Sequence, residues 1–291
     1  MYKIAAFYRF LRLDDIPALR REIRDAGSAL TGLCGTILLA PEGVNGTIAA
    51  APDALDQMIA YLDERFGIRE NGVKYSTSEE KPFNRFKVRP KREIITMRRD
   101  DADPTRRVGE YVSPSEWNAL IDDPDVVVLD TRNDYETRVG VFEGAIDPKI
   151  GVFTEFADYV EANLDPQRHR KIAMYCTGGI RCEKASAYML ARGFERVFHL
   201  QGGILRYLEE VPEDESRWRG DCFVFDKRVA VGPALREAEW SMCFGCREPL
   251  CAEDRQRDDY EEGVSCLHCV DRLTPEHAAS LRMRHRQMAD R

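Results

Sequence analysis

The sequence predicts a mixed α/β protein in three parts: an α+β domain over residues 1–99, an α/β domain with a parallel sheet over 113–211, and a small Cys-rich segment over 212–291. Three features predict it. The first hundred residues order their apolar segments as strand, helix, strand, strand, helix, strand. Residues 113–211 alternate continuously apolar runs with helical periodicity, the pattern of strands covered by helices on both faces. Finally, five of the nine cysteines crowd between Cys243 and Cys269.

In the first part, residues 3–10 read as a strand, and 16–26 carry apolar side chains at helical spacing. Residues 35–39 and 46–49 are apolar strands around a turn at Pro41-Glu42-Gly43-Val44-Asn45. A helix runs from about Pro52 to Phe66, and residues 94–97 close the sheet. This order predicts a ferredoxin-like sandwich, a fold that hosts many unrelated functions and decides none. Residues 100–112 form a linker, marked by Asp100-Asp101-Ala102-Asp103-Pro104. Beyond it, Ser113-Pro114-Ser115-Glu116 has the capping-box pattern that opens a helix. Residues 126–129, 172–175 and 197–200 are buried strands. From about Pro212 the chain is polar and Cys-rich, and it ends in Arg-rich helical sequence.

Composition bounds the function. With 43% hydrophobic and 32% charged residues, the chain fits a soluble globular protein and not a disordered one. Arg9 and Arg12 interrupt the apolar N-terminus, which has no small-residue cleavage site and does not read as a signal peptide. The longest uncharged run, residues 26–41, is too short and too glycine-broken for a membrane helix. Both observations point to the cytoplasm and away from membranes. In a reducing compartment, a cysteine cluster more often binds metal or does chemistry than forms disulfides. The net charge of −8 is uneven, because residues 1–99 carry four more basic than acidic side chains. One basic region on an acidic protein points to a local polyanion contact.

The informative segment is Tyr175-Cys176-Thr177-Gly178-Gly179-Ile180-Arg181-Cys182-Glu183-Lys184. An apolar strand enters Cys176, a glycine loop follows, and a helix starts near Arg181. The carboxyl end of a parallel strand is where α/β proteins place ligands. Gly178 and Gly179 let the backbone curl so that N–H groups point inward as an anion nest, and Thr177 and Ile180 complete the loop. The helix start and Arg181 add positive charge, which together should depress the Cys176 thiol below its usual value of ~8.5. An ordinary buried cysteine would need neither the glycines nor the arginine. Cys182 reads either as a resolving thiol or as a small residue packed beside the loop.

Cys-x4-Arg after an apolar strand resembles the active loop of the rhodanese superfamily. Asp130-Thr131-Arg132 with Glu136, then Gly144-Ala145-Ile146, and Leu200-Gln201-Gly202-Gly203-Ile204 sit where a rhodanese domain has its supporting elements. The resemblance covers residues 113 to about 211. It departs at Val141-Phe142-Glu143, where many rhodaneses have His-Ile-Pro. Cysteine phosphatases use the longer Cys-x5-Arg loop, so the spacing argues against phosphate-ester hydrolysis. Taken with Ala40-Pro41-Glu42-Gly43-Val44-Asn45-Gly46-Thr47 and the Cys-rich tail, nearly the entire chain resembles the bacterial rhodanese-like tRNA uridine hydroxylases. That resemblance implies oxygen-dependent formation of 5-hydroxyuridine at the wobble position, with tRNA as partner and molecular oxygen as co-substrate. It leaves the electron donor open. Thiolate addition from Cys176 to C6 of uracil would raise electron density at C5, and a Cys176 persulfide is the alternative reagent. The sequence shows no flavin or nicotinamide fingerprint. A persulfide-carrying sulfurtransferase and a non-catalytic RNA-binding module are the competing functions.

Between Lys81 and Arg99 stand eight basic residues and one acid, Glu93, with Phe83 and Phe86 interleaved. Arg85, Lys87, Arg89, Lys91 and Arg92 are the candidate phosphate contacts, and exposed rings can stack on unpaired bases. A solvated charged face over core phenylalanines is the plainer reading of the same stretch. The turn at residues 41–46 either helps place substrate or is an ordinary hairpin. Cys243-x2-Cys246 and Cys266-x2-Cys269 have the spacing of a structural four-thiolate zinc site, with Cys251 and His268 as substitutes. Reduced structural or redox-active thiols are the alternative. Cys34 and Cys222 read as buried core cysteines.

Overall fold

Alternation along β1 (Tyr2–Phe10) sends Ala5 and Phe7 to one side of the N-terminal sheet and Ile4, Ala6 and Tyr8 to the other. In this computed structural model, which describes residues 1–289, β1 is followed by α1 (Ile16–Ser28), β2 (Cys34–Ala40), β3 (Gly43–Ala50), α2 (Pro52–Phe66), β4 (Lys74–Ser78) and β5 (Phe86–Pro90). Asp15 caps α1 by accepting the Ala18 N–H at 3.1 Å. The sheet order is β4-β1-β3-β2-β5. Its first four strands give the expected ferredoxin-like arrangement, and β5 adds an edge parallel to β2. Both helices cover one face, where Ile23, Leu55, Ile59 and Leu62 pack on Phe7, Ile37, Leu39 and Val44. Each such side chain contributes roughly 1.5–3 kcal/mol on burial.

The opposite face is set by register. Ala6 pairs with Thr47 and Lys74, Tyr8 with Asn45, Thr36 with Thr47 and Lys87, and Leu38 with Arg89. Those side chains therefore share the helix-free face. The strand expected at residues 94–97 is absent. Those residues are irregular, with the Ile94 N–H held by Glu42 at 2.7 Å and the Met97 N–H by Glu93 at 2.8 Å. Met97 is instead buried in the core of the central domain. A short apolar run without alternation does not specify a strand.

The central sheet is all parallel, in the order β6-β10-β9-β7, built from β6 (Glu110–Val112), β7 (Val126–Asp130), β9 (Lys171–Tyr175) and β10 (Arg196–Leu200). β6 falls within the segment read as a linker. Between these strands lie α3 (Pro114–Ile121), α4 (Asp134–Thr137), β8 (Gly140–Phe142), α5 (Phe156–Asn163) and α6 (Ile180–Ala191), and α7 (Gly203–Glu210) follows β10. Leu129, Ile172, Met174 and Val197 pack under α5 and α6. Val128, Ala173, Tyr175 and Leu200 face α3 and α7 on the other side. The Ser113 side chain does not cap a backbone N–H of α3; its hydroxyl donates to the Glu116 carboxylate at 2.5 Å, and its carbonyl accepts the Glu116 N–H at 3.1 Å.

The segment from residue 212 begins by completing this domain. β11 (Trp218–Gly220) pairs with β8, and Trp218, Cys222, Val224 and Val231 join the central core. Two small hairpins follow, β12 (Cys222–Phe223) with β13 (Ala230–Val231) and β14 (Ser241–Met242) with β15 (Pro249–Leu250), before the terminal α8 (Pro275–Ala289). Among the described residues no helix is long and apolar enough to cross a membrane.

A buried lysine ties the first two domains. Lys184, on α6, donates to Glu42 at 2.8 and 2.9 Å, to Glu93 at 2.5 Å and to the Ile95 carbonyl at 3.0 Å. The turn at residues 41–46 therefore holds the domain interface as well as reversing the chain.

Candidate active site

Cys176 follows the last residue of β9, the central domain's fully covered strand, and is buried. Its loop is clamped from outside. The first N–H groups of α7 bond outward-facing carbonyls, Ile204 to Cys176 at 3.0 Å and Leu205 to Thr177 at 3.1 Å. Gly203 permits that approach, since a Cβ there would stand 2.5 Å from the Cys176 carbonyl and the residue has φ +67°. With those carbonyls turned out, N–H groups turn in, and Gly179 donates to Cys176 Sγ at 3.1 Å. Burial pushes the Cys176 thiol up. The Cys182 thiol, the Arg181 charge and the N–H groups of Cys182 and Gly179 outweigh it, holding the thiol well below its ordinary value.

Arg181 is less free than its sequence position implied. Its guanidinium is forked onto Glu136, at 2.6 and 2.7 Å, with Thr177 also within reach of that carboxylate at 3.3 Å. Glu136 is fully buried, so the loop receives a dipolar pair in place of an isolated full charge. Asp130 and Arg132 lie beneath, forming a buried pair of their own. Arg132 also bonds the Glu136 carbonyl at 3.2 Å and the Gly140 carbonyl at 2.6 Å, which fixes the Glu136 backbone without reaching the cavity. Cys182 is buried against the loop with its sulfur 3.5 Å from Thr131 Oγ1; burial and its bond to Cys176 push its own thiol well up.

The loop opens into a cavity of about 540 Å³ whose walls come from three parts of the chain. Cys176, Thr177, Gly178, Ile180 and Arg181 form the floor; Tyr8, Asn45, Thr47 and Lys74 come from the helix-free face; Phe225, Asp226 and Arg228 close the third side. Tyr8 donates to Glu183 Oε1 at 2.5 Å, and Tyr111 bonds the same carboxylate. Phe225 is 60% exposed at this site, and its ring centroid is 6.0 Å from the Arg181 guanidinium.

Residues 2–94 match the profile of the UPF0176 acylphosphatase like domain and residues 113–210 that of the rhodanese-like domain. The tRNA uridine(34) hydroxylase of Roseobacter denitrificans is 50% identical over 288 residues, spanning 99% of this chain and 97% of that protein. The chain belongs to the tRNA uridine(34) hydroxylase family. Among solved structures, a rhodanese-like domain from Anabaena is 21% identical, covering 33% of this chain and 71% of that one with a TM-score of 0.29. The reduced CoADR-RHD of Bacillus anthracis is 17% identical over 57% of this chain and 28% of its own, with a TM-score of 0.33.

In this family member the basic stretch continues the cavity's own sheet face. Lys87 and Arg89 share that face through register, and Arg85 immediately precedes the edge strand β5. Arg85, Arg89, Lys91 and Arg92 are exposed, and Lys91 also lines the cavity. Arg85, then partial burial, then Arg89 push the Lys87 amine down, as expected where like charges crowd. Phe86 and Val88 point the other way, into the helix-covered core.

The tail brings Cys243, Cys246, Cys266 and Cys269 together, all four sulfurs within 4.8 Å of one another. Separations of 3.9 Å for Cys243–Cys269, 3.6 Å for Cys246–Cys266 and 3.9 Å for Cys266–Cys269 exclude disulfides. They match the edges of about 3.8 Å of a thiolate tetrahedron with metal–sulfur bonds of about 2.3 Å. The four thiols fit a bound metal, and Cys251 and His268 lie outside the group.

Sequence reasoning did not find Tyr8, Lys74, Tyr111, Glu183 or Phe225 as site residues. Alternation along β1 does place Tyr8 opposite the core-facing Phe7, but only the pairing of β1 with β4 brings Lys74 beside it.

Proposed function

We propose that this protein hydroxylates C5 of the wobble uridine of tRNA, with Cys176 as the nucleophile. The observation that carries this reading is the placement of a thiolate-prone Cys176 on the floor of a nucleotide-sized cavity walled by a basic-edged sheet. Cys176 adds to C6, which makes C5 nucleophilic toward oxygen; a C5–O bond forms as the O–O bond of dioxygen breaks. Loss of the C5 proton and of the thiolate then restores the ring. The second oxygen atom leaves as water with two electrons from an external donor. Phe225 supplies an exposed ring for the unstacked base. A sulfurtransferase using the same loop would turn over thiosulfate with cyanide and need no RNA. The test is mass spectrometry of tRNA nucleosides from a deletion strain carrying the parent gene or none. Normal 5-hydroxyuridine without the gene would overturn the assignment.

The basic edge is the tRNA-docking surface in this reading. Charge reversal at Arg85, Lys87 and Arg89 should weaken tRNA binding and flatten the log-affinity against log-salt slope, by about 0.7–0.9 for each phosphate no longer neutralised. Alkylation of Cys176 should proceed at the parental rate. An unchanged affinity and slope would place the tRNA elsewhere.

For the tail we propose one structural zinc held by Cys243, Cys246, Cys266 and Cys269, with four thiolates closing the coordination shell and leaving no catalytic position. Elemental analysis of chelator-free protein should return one zinc per chain, and Cys266→Ser should lose it. Metal-free protein with a folded tail contradicts the proposal.

A further inference from the structure

We propose that Lys74, on β4 of the N-terminal domain, is a positioning cation that completes the Cys176 thiolate site across the domain interface. The inference rests on Cys176 being the reactive thiol, as proposed above, and is independent of the substrate's identity.

The central domain's own cations near the loop are already matched. Arg181 is forked onto Glu136, Arg132 onto Asp130, Lys184 onto Glu42 and Glu93, and Arg228 onto Asp226. Such pairs present dipoles, whose fields fall faster with distance than that of a single charge. Two lysines line the cavity. Lys91 is exposed to solvent, where its charge is screened, whereas Lys74 is half-buried and forms no salt bridge among the described residues.

Lys74 is also aimed by its surroundings. Its pairing with Ala6 sets it on the helix-free face, and its Nζ lies 5.6 Å from the centroid of the Tyr8 ring. Tyr8 in turn abuts the thiol loop. A Cβ on Gly179, which has φ +101°, would stand 2.8 Å from the Tyr8 hydroxyl. The same hydroxyl donates to Glu183 at 2.5 Å, on the first turn of α6. One aromatic ring therefore spaces the ammonium from the loop and locks both to the helix that follows Cys176. Burial brings the Lys74 amine down to about 8, against the opposing pull of Cys176 and Glu183. A lysine that feels the thiolate through a poorly solvated gap must stabilise that thiolate in return, because the coupling is mutual.

Several groups contribute to the titration of this site. Arg181, Cys182 and Glu183 belong to α6, Glu136 to α4, Tyr8 to β1, Tyr111 to β6, and Arg206 and Glu209 to α7. The experiment therefore changes Lys74 alone, in the full chain. Iodoacetamide labelling of the Cys176 peptide is followed by mass spectrometry from pH 5 to 10 in the parent, Lys74→Met and Lys74→Arg.

Lys74→Met should raise the Cys176 labelling midpoint by about one pH unit, a roughly tenfold shift in thiol ionisation. Lys74→Arg should keep the parental midpoint. The parent profile should carry a second inflection near 8, from Lys74 itself, which Lys74→Arg removes because a guanidinium does not titrate there. That last comparison decides the matter even if Lys74→Met fails to fold. Equal midpoints for Lys74→Met and the parent, or a second inflection that survives in Lys74→Arg, would overturn the role of Lys74. A parent whose Cys176 shows no ionisation-dependent labelling would instead overturn the nucleophile reading beneath it.

Discussion

Replacing Cys176 by serine is expected to abolish 5-hydroxyuridine formation while leaving the fold in place. The site stabilises an anion on sulfur through the Cys182 thiol, the Arg181 charge and inward N–H groups, including Gly179 at 3.1 Å. A serine hydroxyl keeps its proton under conditions in which the thiol ionises, so the nest has no anion to hold and C6 meets no nucleophile. Loss of a covalent nucleophile acts on the order of 10⁴-fold or more. Serine is smaller and still accepts the Gly179 N–H, so stability should move by about 1 kcal/mol. Complementation of a deletion strain, read by nucleoside mass spectrometry, checks activity, and denaturant unfolding checks the fold. Turnover by Cys176→Ser equal to the parent would remove the thiol from the chemistry.

What was legible in the sequence was local. The thiol loop lies in one run of ten residues, and its strand, glycines and helix start are read directly from order. The tail's two Cys-x2-Cys pairs also declared themselves, because each pair is a local turn and only the meeting of the two is long-range. Lys74-Tyr75-Ser76-Thr77-Ser78 was missed as a strand because it is polar and lies at the sheet edge, where one neighbour suffices. Residues 94–97 were apolar for the opposite reason: Met97 serves the core of the next domain. β6, three residues long, carries no periodicity at all. Trp218 and Cys222 complete the central core from within a polar stretch, so composition placed them in the tail. The ion pair and the hydrogen bond that shape the site span long stretches of chain. Arg181 meets Glu136 from 45 residues away and Tyr8 meets Glu183 from 175, distances at which sequence pattern carries no information.

The Arg181–Glu136 pair is where stability and reactivity should part. Glu136→Gln is expected to destabilise the protein by about 3–5 kcal/mol at pH 7, because it leaves a buried guanidinium without its counter-charge. Glu136 accepts two bonds from Arg181, one from Thr177 at 3.3 Å and one from the Asn133 N–H at 3.1 Å, and a neutral amide cannot replace the charged fork. Burial alone would raise the Glu136 carboxyl, but Arg181 first and Arg132 second hold it below its ordinary value. A carboxyl depressed on folding contributes stability that is fully present above its unfolded value of about 4.3 and is lost as pH falls through the folded value. The deficit of Glu136→Gln against the parent should therefore be constant from pH 7 down to about 5 and close at lower pH, as the parent's carboxyl becomes neutral too. Cys176 should respond in the other direction. With its partner neutral, Arg181 presents an uncompensated charge to the loop, so the thiol's labelling midpoint should fall while the protein weakens. Denaturant unfolding at pH 7 and pH 3, alongside Cys176 labelling, measures both. A stability deficit that persists unchanged at pH 3 would mean that packing around residue 136, and not its charge, supports the loop.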